Sequence, residues 1–358
     1  MQKTDHQILD SAFTLGGASC EPSFFARMDS MYEGDATTVS SAIDIRVHLS
    51  SATELSDAVT TWNEWGHFHR SLNYSHWNLK GPVEPAGIYL PALGMLFRFH
   101  VNDSRLDVYT VPGRSQRTAE LVFHAARNLA LWRRDARFSC MLHASAVIVH
   151  GAAWLFLGNK GAGKSTLFID SVLRHGATPL SNDRVLLDSF DGRTIWSWPS
   201  YLSYCEGTIL DYPELGQVFD AALEGVEPPS ARLYRRSYEQ AHKRIVPPFH
   251  FNEVLGRHYA RSAPIAGVVC AQLQPGHADG LTVISTRRTS QMAISEIADA
   301  VFSGDDPDFP AWHGVRSSID ANAVEPALEW LAEADVPLLN IVLDPVLGKS
   351  GLGKLLVQ

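Results

Sequence analysis

"LFLGNKGAGKSTLFID", residues 155–170, decides how the rest of the chain is read. An apolar run ends at Gly158, a glycine-rich loop follows, and the next residues set apolar side chains at helical spacing. Gly158, Gly163, Lys164 and Ser165 complete the pattern G-x-x-x-x-G-K-S/T. Glycines let backbone N–H groups curl around phosphate oxygens, and the N-terminus of the following helix adds a favourable dipole. In that pattern Lys164 neutralises the β and γ phosphates of a nucleotide and the Ser165 hydroxyl ligates Mg²⁺. Asn159, Lys160, Gly161 and Ala162 fill the loop and Thr166 continues the first helical turn, so 158–166 is the expected ATP-binding segment.

A second stretch, "GKSGLGKLLVQ" at 348–358, repeats the spacing with Gly348, Gly353 and Lys354. Leu355 stands where Mg²⁺ requires a hydroxyl, and four residues after Lys354 are too few to build a helix. It reads as a basic tail.

Around the loop, "SAVIVHGAAWLFLG" reads as two strands turning at His150-Gly151, and Gly176 terminates the loop helix. "TPLSNDRVLLD" and "TIWSWP" read as strands joined at Asp191-Gly192. Residues 200–260, rich in Pro, Tyr and Arg, read as irregular. The chain then resumes α/β alternation. "PIAGVVCAQL", "LTVIST" and "PLLNIVLD" are expected strands, and "TSQMAISEIADAVF" and "NAVEPALEWLAEA" expected helices.

Upstream, "IDIRVHL" (43–49) alternates apolar and polar residues, and "MLFRFHV" with "RLDVYTV" reads as a hairpin. Residues 1–115 are therefore expected to form a smaller β-rich α+β domain, and 116–358 the nucleotide-binding domain with a mixed sheet. Leu121, Val122, Ala125, Ala126, Leu129 and Trp132 form one helical stripe in the segment that connects the two. "WNEWGHFHRSLNYSHWNLKGP" (62–82) contains His67, His69 and His76, without the Cys or carboxylate partners that would specify a metal.

Length and composition bound the function. The 358 residues are 45% hydrophobic and 19% charged, enough for two packed cores. Cys20, Cys140, Cys205 and Cys270 are too far apart for a zinc site and read as reduced thiols. A net charge of -9 argues against broad nucleic-acid binding. No apolar run is long enough for a membrane span, and the N-terminus lacks a basic-then-apolar signal, so a cytoplasmic protein is expected.

His143 lies fifteen residues before Gly158 in "LHASAV", and Asn182-Asp183 follow the loop helix in "LSNDRV". The series "HA", hairpin, "GNKGAGKST", helix, "ND" resembles the HPr kinase/phosphorylase family and its HPr-kinase-like relatives. The resemblance covers roughly residues 139–190 and, more loosely, the strand–helix pattern to about 345. It implies an α/β fold with an HPr-kinase-like P-loop core, and an ATP- and Mg²⁺-dependent kinase. His143 matches the family's His and Asp183 the second acid of its acidic pair, the general base or metal ligand. Asn182 replaces the first acid, and an amide cannot accept a proton at neutral pH. The Gly- and Arg-containing signature of genuine HPr kinases is absent from "SWPSYLSYCEGTILDYPELG", so HPr is not the expected acceptor.

Between Arg232 and Arg261 seven basic residues face two acids, a local +5 suited to an anionic ligand or to a solvated face. "HKRIVPP" resembles a K…P segment of the family, which singles out Lys243 and Arg244; Arg184, beside Asp183, is a further phosphate candidate. The expected reaction transfers the γ-phosphoryl group to a hydroxyl of a small molecule or peptide. The N-terminal domain would recognise that acceptor, or a second copy of the chain in a homo-oligomer. The competing class is a regulatory nucleotide-binding NTPase with no acceptor. A carboxykinase reading lacks an assignable Mn²⁺-binding set.

Overall fold

The computed structural model describes residues 3–8, 11–17, 22–32, 42–60, 64–70, 75–80, 87–100, 105–113, 115–133, 138–198, 200–222, 234–274, 281–301 and 324–344. They fall into two units, Met1–Asp29, Gly34–Asp135 and Ser303–Ala321 in the first and Ser30–Glu33, Ala136–Phe302 and Asn322–Gln358 in the second. The tail at 348–358 lies outside the described residues, as do Cys20 and the side chains of His67, His69, His76 and Trp132.

In the first unit, described elements run β1 (Lys3–Ile8), β2 (Ser11–Gly17), α1 (Pro22–Ser30), β3 (Ala42–Leu49), α2 (Ala52–Thr60), β4 (Glu64–Arg70), β5 (Ser75–Lys80), β6 (Gly87–Leu90), β7 (Met95–His100), β8 (Arg105–Thr110) and α3 (Ser115–Arg133). One eight-stranded sheet runs β1-β2-β3-β8-β7-β6-β5-β4, with β3 parallel to both neighbours and the other pairs antiparallel. The alternation read in β3 is real: Ile43, Ile45 and Val47 are buried, while Asp44, Arg46 and His48 lie on the other face.

The expected boundary at residue 115 moves to Asp135, because α3 packs into this unit. The Thr118 hydroxyl lies 3.0 Å from that of Thr110 at the end of β8. Phe123 meets the Phe24 ring of α1 at 6.1 Å, and the expected stripe from Leu121 to Leu129 is buried.

The second unit continues with β9 (Phe138–Leu142), β10 (Ser145–Val149), β11 (Ala152–Leu157), α4 (Lys164–His175), β12 (Thr178–Ser181), β13 (Val185–Asp188), β14 (Thr194–Ser197), β15 (Leu202–Cys205), α5 (Glu206–Asp211), α6 (Pro213–Ala222), β16 (Lys243–Val246), α7 (Phe249–Leu255), β17 (Ser262–Leu273), β18 (Leu281–Arg288), α8 (Ile294–Ile297), α9 (Val324–Ala334) and β19 (Pro337–Leu343). A nine-stranded mixed sheet follows the order β12-β10-β11-β17-β14-β13-β9, with β19 pairing to β17 and β18 to β19. The architecture is thus mixed α/β. Among the described residues no helix is long and apolar enough to cross a membrane.

Three expectations for this unit are corrected. The described residues of 200–260 are not irregular: β15 and β16 pair as a separate two-stranded ribbon, α5 and α6 pack beside it, and α7 packs on α6. The run 178–188 breaks into β12 and β13 at Asn182–Arg184, which frees the "ND" pair from the sheet. "TSQMAISEIADAVF" is no single helix. Glu296 accepts the Ala293 N–H at 2.8 Å and pairs with Arg287, and only 294–297 is α-helical.

Asp188 ties three elements of the second core together. Its carboxylate accepts the Trp196 Nε1–H of β14 at 2.9 Å and the Phe190 N–H at 2.9 Å, and its carbonyl accepts the Trp330 Nε1–H of α9 at 2.6 Å. Asp188→Ala orphans the buried Trp196 donor and removes the acceptor of the part-buried Phe190 N–H, and is expected to cost about 2 kcal/mol in urea unfolding, with Asp188→Asn costing less because one carbonyl acceptor survives. Equal losses for the two variants would assign the effect to charge rather than to hydrogen bonding.

Candidate functional site

The pairing of three strands gathers the site. β10 is antiparallel to β11, with Ser145 opposite Phe156, and antiparallel to β12, with Ala146 opposite Ser181. β11 and β12 therefore run the same way and end at one edge, the edge at which β10 begins. The glycine-rich loop after Leu157, the turn Asn182–Arg184 after Ser181, and His143 just ahead of β10 all emerge there. Antiparallel β9 and β13 agree, since Leu142 faces Val185 and the next residues outward are His143 and Arg184. His143 sits in the bend between β9 and β10, its N–H donating to the Ala300 carbonyl at 2.6 Å.

Two glycines shape the loop. Gly158 has φ of 141°, and a Cβ there would stand 2.6 Å from the Ala271 carbonyl oxygen of β17. Gly163 has φ of 97° and caps α4, with Leu343 of β19 beneath it. The Ala162 N–H donates to the Asn159 carbonyl at 2.9 Å, closing the turn, while Asn159, Lys160 and Gly161 are exposed. Ser165 and Thr166 lie half-buried in the first turn of α4.

Lys164 is buried, and its Nζ donates to the Gly158 and Asn159 carbonyls at 2.6 and 3.2 Å. Desolvation lowers its pKa to about 8, opposed by the Asp183 carboxylate and reinforced by the charge of Lys243. An ammonium so placed, beneath a loop of left-handed glycines, suits an oligophosphate with its metal ion: Lys164 and the loop N–H groups for the phosphates, Ser165 and Asp183 for Mg²⁺.

The Asn182–Arg184 turn is pinned from below. Ser145 Oγ donates to the Asn182 carbonyl at 2.7 Å, the Asn182 amide donates to the Tyr201 carbonyl at 3.3 Å, and Ser181 Oγ donates to the Arg184 carbonyl. Asn182 is consequently buried and structural, while the Asp183 side chain retains 40% exposure. Its two oxygens lie 3.4 Å from His143 Nε2 and 3.2 Å from Arg184 Nε. Desolvation pulls the Asp183 pKa up, but the His143 hydrogen bond and the charges of Arg184, His143 and Lys243 outweigh it and hold the carboxyl well below its usual range.

The sequence candidates thus separate. Gly158–Thr166, His143, Asp183, Arg184 and Lys243 belong to this edge, since the Lys243 charge reaches both Lys164 and Asp183. Arg244 does not: its Nε donates to buried Glu206 at 2.9 Å, because neighbouring residues of a strand point to opposite faces. Sequence reading missed Ser145, Ser181 and Glu206. The first two lie inside the quoted "HASAV" and "LSND", and Glu206 is the lone acid of "YCEGTIL". Among the described residues no three His, Cys, Asp or Glu side chains form a metal cluster.

No protein-family model and no curated protein matches the chain. Among solved structures, the Hpr(Ser) kinase/phosphatase from Coxiella burnetii aligns at 11% identity over 56% of this chain and 83% of that one, with a TM-score of 0.25.

A carboxyl with a depressed folded-state pKa contributes stability that is complete above the unfolded value, about pH 4, and is lost as pH falls through the folded value. Asp183→Asn leaves Lys164, Arg184 and Lys243 without their shared counter-charge. Its urea midpoint is expected below that of wild type at pH 7, with the gap closing as the pH drops under about 4. A gap of constant size down to pH 2 would show that the carboxylate charge is not what stabilises the turn.

Proposed function

We propose that the protein is a Mg²⁺- and ATP-dependent kinase that transfers the γ-phosphoryl group to a hydroxyl of a small molecule or peptide. The observation that carries this reading is the Asp183 carboxylate held between His143 and Arg184 at the mouth of a glycine-rich loop, where the charge of Lys243 acts on it and its own charge acts on Lys164. That excess of cations over anions suits an oligophosphate.

Bound Mg²⁺ would supply charge neutralisation at the phosphates. Lys164 and the loop N–H groups bind phosphate oxygens, and Ser165 presents its hydroxyl from the helix start. Asp183, too weak a base to strip an alcohol early, orients the acceptor by accepting its hydrogen bond and takes the proton late. His143 holds one Asp183 oxygen and Arg184 the other, which leaves the carboxylate a fixed direction. The first unit, with β1 and β4 at the two ends of its sheet, is the proposed acceptor-recognition unit, since an edge strand pairs with an extended peptide or a second copy of the chain. A cytoplasmic location accompanies the reading.

The same low Asp183 pKa favours a second reading, a nucleotide-binding regulator that hydrolyses ATP slowly and has no acceptor. Incubation with γ-labelled ATP separates them: label on an acceptor marks a kinase, and free phosphate alone marks the regulator.

Two outcomes are expected. Asp183→Asn retains ATP binding within about threefold, a shift of under 1 kcal/mol, yet loses transfer by at least about a hundredfold; wild-type turnover in that variant would remove Asp183 from the mechanism. Because phosphate requires the Lys164 ammonium and this amine titrates near 8, ATP affinity falls as pH rises from about 8 to 10. Calorimetry at pH 9 in buffers of different ionisation enthalpy should register proton uptake, and binding without uptake would exclude Lys164 as the coupled group.

A further inference from the structure

The ribbon β15–β16 is a two-stranded sheet of four paired residues on each side, separate from the main sheet. A ribbon of this size is marginal by itself, and a slip of one residue would turn every side chain to the opposite face. Its inner face carries Leu202, Tyr204 and Val246, all buried, together with Arg244 opposite Tyr204. Its outer face carries Ser203, Cys205, Ile245 and Lys243, with Lys243 opposite Cys205 and Ile245 57% exposed. A one-residue slip would therefore turn Lys243, whose charge acts on both Lys164 and Asp183, to the face that Arg244 now occupies.

The groups that hold the register converge on Glu206, the first residue of α5 and only 5% exposed. One carboxylate oxygen accepts Arg244 Nε at 2.9 Å, and the other accepts the Arg235 backbone N–H at 2.8 Å. Alongside, the Gly207 N–H donates to the Ser237 carbonyl at 2.7 Å, and a Cβ at Gly207 would stand 2.8 Å from that oxygen. A buried carboxylate with two directional donors is an expensive anchor, and nothing in a solvated loop calls for one.

We infer that Glu206 is a positioning residue for the phosphate site: by gripping Arg244 on the inner face it fixes the register that delivers Lys243, on the outer face, to the edge where Lys164 and Asp183 meet. The inference rests on the nucleotide reading above and gives the basic stretch 234–246 two distinct duties. Lys243 meets the ligand, and Arg244 holds the strand.

The test is a double-mutant cycle in the full chain with Glu206→Gln, Lys243→Ala and the pair, reading the Kd for Mg·ATP and the amide exchange of 243–246. Gln is close in shape and keeps one acceptor, so the fold survives, with its melting temperature as control. Lys243→Ala and Glu206→Gln are each expected to weaken Mg·ATP about fivefold to tenfold, about the value of one charge contact. The double variant should be no weaker than Lys243→Ala, and exchange at 243–246 should quicken in Glu206→Gln. Additive losses, or an unchanged Kd with a lower melting temperature, would overturn the inference and leave Glu206 merely structural. Wild type that binds no Mg·ATP would remove the nucleotide reading instead; exchange in Glu206→Gln then decides the anchor alone, quickened if it holds the ribbon and unchanged if it does not.

Discussion

The antiparallel pairing of β10 with both β11 and β12 is the constraint on which the rest of the site depends. It sends β11 and β12 out of the sheet by the same edge and brings β10 in there, so three segments far apart in sequence end within reach of one another. Parallel pairing of β10 with either neighbour would send these segments to opposite ends of the strands. Ser145 and Ser181 reinforce the arrangement by bonding the backbone of the turn that carries Asp183, so the turn is held by the strands rather than by its own residues.

Electrostatics supply the second condition. Lys164 is desolvated, and it, Lys243 and Arg184 have the single Asp183 carboxylate as their nearby counter-charge, so positive charge exceeds negative at this edge. An excess of partly desolvated positive charge favours an anion at this edge. The same field makes Asp183 a poor base and a good ligand, so positioning, not proton abstraction, is the chemistry the site is suited to.

What the sequence disclosed tracks the range of the interactions involved. The glycine-rich loop, its helix and the alternation in "IDIRVHL" are local patterns, and they appear where expected. The convergence at the sheet edge depends on strand register, which a single sequence does not encode locally. Residues 200–260 hid their order because α5 and α7 span six and seven residues, too short for a clear period, and the Glu206–Arg244 bond crosses 38 positions. Arg244 misled for a related reason: adjacent cations look equivalent in sequence, yet strand geometry gives them opposite faces. The assignment of α3 to the first unit likewise depended on partners, Thr110 and Phe24, that its apolar stripe does not name.

The most direct test of the account is a footprint of Mg·ATP on the full chain by backbone amide exchange. Protection of 158–166 together with 182–184 and the Lys243 strand is the predicted result, because one ligand would then bridge all three segments of the edge. Protection of the loop alone, or of segments elsewhere with this edge unchanged, would contradict it.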